Sequence, residues 1–457
     1  MTKKIIVFIA VLLLWNYQIG YTQSTPYSLE EVWEKTLNHY PSLTSGKKLI
    51  EVEKIKKSLV KKQFAPEINV QMQQNYGVAQ SSPGAFIPLP GAFTAAGVNS
   101  ASGNTLTGSS VFSSATLQWN FLQFGRHQSK LDVADAAINL SKAHFNQQEW
   151  MLLYKVTGIY FAALQSHAAL DIARSENKRL IELYDLTRAQ VDAGLKPGAD
   201  SLLLKSSLLQ SKARQHEQQA KLKEHLIQLA IFTGEETIEI DQSFYTHFPE
   251  NKILNPELIN HPYIQTYNAR MNHAEAELNL IKKEVYPSIG LLAGAGLRGS
   301  GLFPDGTIKN SLSAPWNNLA GSYLGGIGIT WNFSSLYQNK SKQQVANKTL
   351  ASLEAEREAV QLQLQSQYQS AHAALTEQFQ NLKASEAAVK ASLEAYELYE
   401  VRYQSGLINL IELLQLQKIL QDTERNYLYA LHVYWTELLN QTESLGSFSF
   451  LLNAIKK

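Results

Sequence analysis

The sequence predicts a mainly helical protein made of two tandem copies of one unit, each with a pair of transmembrane β-strands. Three observations support this fold class. Trp-Asn-Phe occurs at 119–121 and again at 331–333, each time closing an alternation of apolar and polar residues. Each tripeptide precedes a long stretch without proline, at about 123–190 and 335–404. The chain also opens with the features of a secretory signal.

The N-terminal segment is predicted to be a signal peptide over residues 1–24. Lys3 and Lys4 precede the apolar run 5–15, and small residues follow as far as Ser24. A membrane anchor is a weaker interpretation, because a helix needs roughly 20 apolar residues to span a bilayer.

Composition argues against several function classes. The 41 Lys and Arg residues balance 40 Asp and Glu residues, so we expect no nucleic-acid partner. The chain has no cysteine, which excludes disulfides, Cys-ligated metals and thiol catalysis. The string HEQQA at 216–220 lacks the second histidine of a zinc motif, and neither a nucleophile elbow nor a phosphate-binding loop is present. We therefore predict no enzyme, no catalytic or metal-binding residue and no cofactor.

The duplication has a fixed offset. Trp119 and Trp331 are 212 positions apart (331 − 119), and Gly194 and Gly406 share that offset. We divide the chain into a first repeat at 25–234, a connector at 235–260, a second repeat at 261–445 and a tail at 446–457. The prolines at the strand starts are 221 apart (287 − 66), so the first copy carries nine more residues (221 − 212) in a variable surface loop.

Alternation marks two pairs of predicted strands, whose successive side chains point to opposite faces. The strands that end in Trp-Asn-Phe carry one mainly apolar face, formed by Val111, Ser113, Ala115, Leu117, Trp119 and Phe121 and by Tyr323, Gly325, Ile327, Ile329, Trp331 and Phe333. The strands before them repeat the pattern less cleanly at Ile68, Val70, Met72 and Tyr76 and at Ile289, Leu291, Ala293, Ala295 and Leu297. A soluble sandwich predicts similar alternation, but the signal peptide and the Gly/Ser/Pro-rich loops at 80–109 and 299–320 favour an outer-membrane barrel.

Four strands cannot stand alone in lipid, because an open sheet leaves edge backbone groups without hydrogen-bond partners. Barrels of this kind need eight or more strands, so at least two chains must contribute. We expect Trp119, Phe121, Trp331 and Phe333 to lie at the membrane interface, where aromatic rings are favoured.

The two proline-free stretches are predicted to be helices of about 100 Å. Alternating steps of four and three mark a coiled-coil seam in each. The first seam comprises Leu152, Val156, Ile159, Ala163, Ser166, Leu170, Ala173, Asn177, Leu180, Tyr184, Thr187 and Val191. The second comprises Leu364, Tyr368, Ala371, Leu375, Gln378, Leu382, Ser385, Val389, Ser392, Tyr396, Tyr399 and Tyr403.

From 27–43 to about Glu443 the chain resembles the TolC-like outer-membrane efflux proteins. The resemblance is carried by paired Pro-x-Ile strand starts, paired strand ends before long helices, and paired Gly-Leu turns. It implies a homotrimer whose twelve-stranded barrel lies in outer-membrane lipid and continues as a helical tunnel in the periplasm. It also implies an exit duct for efflux or type I secretion, opened by a periplasmic adaptor protein and an inner-membrane transporter. The connector and the tail would form a belt around the tunnel.

The resemblance further implies roles for residues at the two turns. Gly194, Leu195, Gly406 and Leu407 match the tips on which adaptor hairpins dock. Without a partner, the same turns are simply helix caps.

A pore gate would lie just beyond these tips. Asp200 and Tyr403 match a closing hydrogen bond, and Glu412 matches an acidic ring made threefold by the trimer. Gln415 and Ile408 depart from the family pattern, in which a second acidic ring and an arginine link are expected. A structural or adhesive coiled-coil protein of the envelope, without a pore, is the alternative function, and the transported substrate is not predicted.

Overall fold

The structure is a computed structural model that describes residues 26–78, 107–246, 260–301, 303, 307, 309 and 311–456. Its helices are α1 (Leu29–His39), α2 (Pro41–Lys62), α3 (Arg126–Asp192), α4 (Gly198–Thr233), α5 (Pro262–Lys283), α6 (Ser334–Gln404), α7 (Leu410–Leu445) and α8 (Ser449–Ile455). Its strands are β1 (Glu67–Val78), β2 (Thr107–Leu122), β3 (Ser288–Ser300) and β4 (Leu319–Thr330). The predicted signal peptide, most of the predicted loop at 80–109 and part of the connector lie outside the described residues.

The two long helices are confirmed. α3 has 67 residues and α6 has 71, and their ends lie within three residues of the predicted ones. Gly125, with a φ of +86°, turns the chain into α3. Among the described helices, none is long and apolar enough to cross a membrane.

Most predicted seam positions of the long helices are buried. Those of α3 are Leu152, Val156, Ala163, Ser166, Leu170, Ala173, Leu180 and Thr187. Those of α6 are Leu364, Tyr368, Ala371, Leu375, Leu382, Ser392, Tyr396 and Tyr403. The heptad spacing therefore identified the packed faces correctly, because it follows the helical period itself.

The chain forms two compact bodies, and each takes segments from both repeats. Of the described residues, one body contains 26–46, 145–246, 260–265 and 358–456. Its largest core surrounds Trp435, whose indole N–H donates to the Tyr245 carbonyl at 2.9 Å. The described part of the connector and helix α8 both contribute side chains to this core.

The other body contains the described residues of 47–144 and 266–357, and with them the four-stranded sheet. The four strands are antiparallel in the order β1-β2-β3-β4, so β1 and β4 are the edges. The predicted extent of the last strand was wrong, since β4 ends at Thr330. Asn332 accepts a hydrogen bond from the Ser334 amide at 3.0 Å, and this local contact starts α6 instead of continuing the strand.

Candidate functional site

The strand register places the predicted apolar residues, as far as Trp119 on β2 and Ile329 on β4, on one face of the sheet, which we call the apolar face. Phe121 follows a register shift in β2, and Trp331 and Phe333 lie beyond the end of β4, so the register does not assign them to this face. Ile68 pairs with Leu117, Leu117 with Ala293, and Ala293 with Gly325. The exposed large side chains on this face are Ile68, Val70, Met72, Tyr76, Leu297, Leu319, Tyr323, Ile327 and Ile329. So much apolar surface on one face, with two open strand edges, is not a stable arrangement in water.

The opposite face is mainly polar or small, although Phe112, Leu292 and Leu324 also lie on it. Its β1 residues are Asn69, Gln71, Gln73 and Asn75, and they lie across from Thr116, Ser114, Phe112 and Ser110. On β3, Gly290, Gly294 and Gly296 continue this face, together with Leu292 and Arg298. A side chain at Gly290 would displace the Asn120 side-chain oxygen and come within 3.2 Å of the Trp119 backbone carbonyl, so little space is left there.

The predicted membrane anchors Trp119, in the first copy, and Trp331, in the second, make equivalent contacts. Their indole N–H groups donate to the carbonyls of Phe64 and Val285, both at 2.9 Å. Each carbonyl stands two residues before the proline that precedes the first strand of its copy. The tryptophans therefore also fix how the chain enters each strand pair, a role that sequence reasoning missed although the prolines carried the signal.

Each anchor tryptophan packs beside the phenylalanine two residues later. The ring centroids of Trp119 and Phe121 are 5.7 Å apart, and those of Trp331 and Phe333 are 4.5 Å apart. Trp331 and both phenylalanines are exposed. The two aromatic pairs thus lie at the same end of the sheet, next to the starts of the long helices.

The two Gly-Leu turns have one geometry. Gly194 and Gly406 have φ of +73° and +75°, the left-handed region that glycine adopts most readily. The amides of Leu195 and Leu407 donate to the carbonyls of Gln190 and Arg402 at 2.8 and 2.9 Å. These bonds close the same helix-ending motif, and the leucine side chains are left 76% and 70% exposed.

The predicted hydrogen bond between Tyr403 and Asp200 is not formed within this chain. Tyr403 has no exposed surface, and its hydroxyl shares a 2.9 Å hydrogen bond with the Thr187 hydroxyl on α3. The Lys196 ammonium lies 3.5 Å from the centre of the Tyr403 ring. Tyr403 belongs to the seam of α6, so packing orients its hydroxyl toward α3, whereas Asp200 lies in the first turn of α4.

Glu412 lies in the first turn of α7 and is partly exposed. Its backbone amide donates to the Asn409 side chain at 3.0 Å, and its carboxylate accepts from the Asn409 amide nitrogen at 2.7 Å. Gln415 is exposed one turn later. The Glu412 carboxylate therefore already stabilises the start of α7, because a negative charge is favourable at the positive end of the helix dipole.

Two ion pairs that join helix α3 to α7 and to α4 were not predicted from the sequence. Arg179 on α3 pairs with Glu424 on α7 at 3.0 Å, and Arg214 on α4 pairs with Glu176 on α3. Burial raises the pKa of Glu424, and Arg179 opposes that shift. Nothing in the sequence separates these charges from the solvated charges around them. In the described residues no group of side chains could hold a metal ion.

Comparison with known proteins gives a consistent result. A family model described as "Outer membrane efflux protein" matches residues 34–235 and 253–447. No curated protein sequence matches the chain. The solved structures that match include the channel CusC, with a TM-score of 0.71 and 14% identity, covering 92% of this chain and 92% of CusC.

Two further solved structures are similar over most of their length. The MtrE outer membrane channel of Neisseria gonorrhoeae, solved in its open state, has a TM-score of 0.68 at 18% identity, with 92% of this chain and 89% of MtrE covered. The outer membrane protein VceC of Vibrio cholerae has a TM-score of 0.66 at 14% identity, with coverage of 92% and 96%. At such identities the likeness concerns the fold.

Proposed function

The chain belongs to the outer membrane efflux protein family, and on that premise we propose that three copies close one twelve-stranded barrel and act as the exit duct of a tripartite efflux system. The observation that carries the proposal is the exposed apolar face with its two open edges. In lipid every backbone polar group needs a partner, so β1 and β4 must pair with neighbouring chains. A pore-free envelope coiled coil gives no reason for this face.

The polar face would then line the lumen. Asn69, Gln71, Gln73 and Asn75 offer uncharged hydrogen-bonding groups to water along the wall. A lining of this kind binds no solute tightly, which suits a passive duct. Substrate choice and energy would come from the inner-membrane pump, and no cofactor is required.

The Gly-Leu turns would receive the adaptor. Leu195 and Leu407 stand exposed at turns of identical geometry, so one chain offers two equivalent apolar contacts. In a trimer these become six contacts of two related kinds. Asp200, Glu412 and Gln415 would line the gate just beyond, while buried Tyr403 acts by holding α6 against α3.

The oligomer is tested by the mass of the protein extracted from outer membranes, corrected for bound detergent. We expect three mature chains, together with stepwise conductance after insertion into planar bilayers. The double variant Tyr323→Asp/Ile327→Asp places charges on the apolar face and should abolish insertion. A folded single-chain mass for the wild-type protein would contradict the proposal, since four strands cannot close in lipid.

The tips are tested by efflux of a fluorescent dye from cells that also express the adaptor and pump. Leu195→Asp/Leu407→Asp should stop efflux while trimer mass and conductance stay unchanged. Ile227→Asp is the matched control, because Ile227 is also exposed but lies far along α4 from the turn. Normal efflux by the tip variant would remove the docking role.

A further inference from the structure

The segment 311–318 between β3 and β4 lies across the apolar face, and we call it the strap. The Ser311 carbonyl accepts a hydrogen bond from the Ser109 hydroxyl on β2 at 2.8 Å. The Leu312 carbonyl accepts a hydrogen bond from the side-chain nitrogen of Gln74 on β1. Ser109 and Gln74 belong to the apolar face, because Gln74 pairs with Val111 and Ser109 pairs with Tyr76.

Packing confirms which face the strap covers. Val111 and Ser109, neighbours on the same face of β2, are each 2% exposed, whereas Ala115 farther along that face is exposed. A side chain on Gly299 of β3 would overlap the Pro315 carbonyl oxygen and would come within 2.8 Å of Val111. The strap therefore crosses three strands at the end of the sheet opposite the Trp-Asn-Phe pairs.

The strap carries exposed apolar side chains outward. Its one-turn 3-10 helix, Ala314–Asn317, buries Ala314 and Pro315 and leaves Trp316 43% exposed. Trp331, at the other end of β4, is 45% exposed. The two indoles thus flank the 12 residues of β4, one at each end.

The spacing of these two tryptophans matches a membrane. Twelve residues at about 3.3 Å each extend about 40 Å along the strand. A tilt of about 40° shortens that to about 30 Å of height, close to the apolar band of about 25 Å that outer-membrane barrels show between two aromatic girdles.

We propose that the strap marks the outer boundary of the hydrocarbon layer and places Trp316 among the lipid headgroups of the outer leaflet. The inference rests on the proposed barrel. Irregular backbone exposed to lipid does not occur within the hydrocarbon, so the strap must lie at or above its edge. An indole, apolar with one N–H donor, is favoured at that depth.

Quenching of tryptophan fluorescence in liposomes tests the position of Trp316. The full-length protein is reconstituted into phosphatidylcholine brominated either near the carbonyl end or near the methyl end of the acyl chain, and iodide is the aqueous probe. The difference between wild type and Trp316→Phe isolates the Trp316 signal. We expect stronger quenching by the shallow bromine than by the deep bromine, and the difference signal of Trp331→Phe should behave likewise.

Two glycine variants test the strap itself. Gly299→Ala should displace Pro315, move Trp316 toward water, and so shift its quenching from shallow bromine to iodide. Gly325→Ala is the matched control, because it adds the same methyl group to the same face of the sheet, on β4, where no atom lies within 4 Å. An unchanged Trp316 signal in Gly299→Ala would overturn the role of the strap.

The remaining outcomes separate this proposal from the barrel. If bromolipid quenches Trp331 while Trp316 is quenched only by iodide or by neither probe, the strap faces water or another subunit. In that case the inference about the strap is wrong, but the proposed barrel is unaffected. If bromolipid quenches neither tryptophan, the sheet is not in the membrane, and both proposals are overturned.

Discussion

In the first copy the tip at Gly194 leads into α4, which starts after Pro197 without a side-chain cap, whereas in the second copy the tip at Gly406 leads into α7, which Asn409 caps. The turns before these helix starts are the same, bond for bond. The difference shows that the duplication preserved the glycine geometry that reverses the chain, while the chemistry of the following helix start diverged.

The contacts between the two copies are also asymmetric, because a contact in one direction has no counterpart in the other. Arg179 and Glu424 form an ion pair, but the positions 212 residues away are Ala391 and Lys212, which cannot form its mirror image. Residues that shape each backbone are repeated, and residues that join the copies are not. The two copies are therefore related in form without being interchangeable.

The largest effect is expected from removing one side of the ion pair. Arg179→Ala leaves the Glu424 carboxylate buried without its partner, which should cost about 3 kcal/mol of unfolding free energy. Arg188→Ala is the control on the same helix, because its pair with Asp192 is largely exposed and about 0.5 kcal/mol is expected. Denaturant unfolding measures both, and equal losses would contradict a special role for the pair.

The loss in Arg179→Ala should depend on pH. Burial already raises the folded-state pKa of Glu424, and removal of Arg179 raises it further. Because the carboxyl pKa is higher in the folded protein, the folded protein takes up the proton first as the pH falls. The loss of unfolding free energy is therefore largest above the folded-state pKa and shrinks as the pH falls toward the pKa of the unfolded state. A loss that stays constant from neutral pH to about pH 4.3, the usual Glu value, would exclude this cause.

The next effect tests what the copies share. Gly194→Ala and Gly406→Ala should each destabilise their turn by about 1–2 kcal/mol, because both force alanine into the left-handed region. Hydrogen exchange at the ends of α3 and α6 measures this locally. Gly198→Ala, at a helical position with open space around it, should be neutral or stabilising. Unequal losses at the two tips would show that their surroundings differ after all.

A smaller effect is expected at the contact between α3 and α6. Tyr403→Phe removes the hydroxyl that Thr187 bonds, at a cost of about 1 kcal/mol in unfolding free energy. In the mirror arrangement the partners would be Val191 and Tyr399, which cannot reproduce this bond. Tyr399→Phe is the control and should change little, since its hydroxyl has no hydrogen-bond partner within the described ranges. A larger loss of unfolding free energy in Tyr399→Phe than in Tyr403→Phe would contradict the role given to the Tyr403 hydroxyl.

The smallest effect should come from the cap that only the second copy has. Asn409→Ala should cost about 0.5–1 kcal/mol in the stability of α7 and speed hydrogen exchange in its first turn. Asn409→Ser keeps an acceptor and should restore most of the loss. If alanine leaves exchange unchanged, the cap contributes nothing and the two helix starts are equivalent.

Local patterns in the sequence predicted the strand faces and the helix seams well. Side chains alternate between the two faces of a strand, and side chains three or four residues apart share a face of a helix. Both periods are properties of the backbone, so Leu117 and Leu375 could be assigned to faces without knowing which residues they contact. The end of β4 was misplaced, because the Asn332 side chain accepts from the Ser334 amide and this local turn replaces the last residues of the strand. The partner of Tyr403 was misplaced too, because that depends on how three helices meet.

The sequence by itself determined the duplication, the long helices, the glycine turns and the apolar strand faces, because each depends on residues close together along the chain. Only the tertiary structure decided that Tyr403 bonds Thr187, that Arg179 pairs with Glu424, and that the strap crosses three strands. Those contacts join residues from 16 (315 − 299) to more than two hundred positions apart. Which distant groups meet is set by packing of the whole body, and no local period of the chain encodes it.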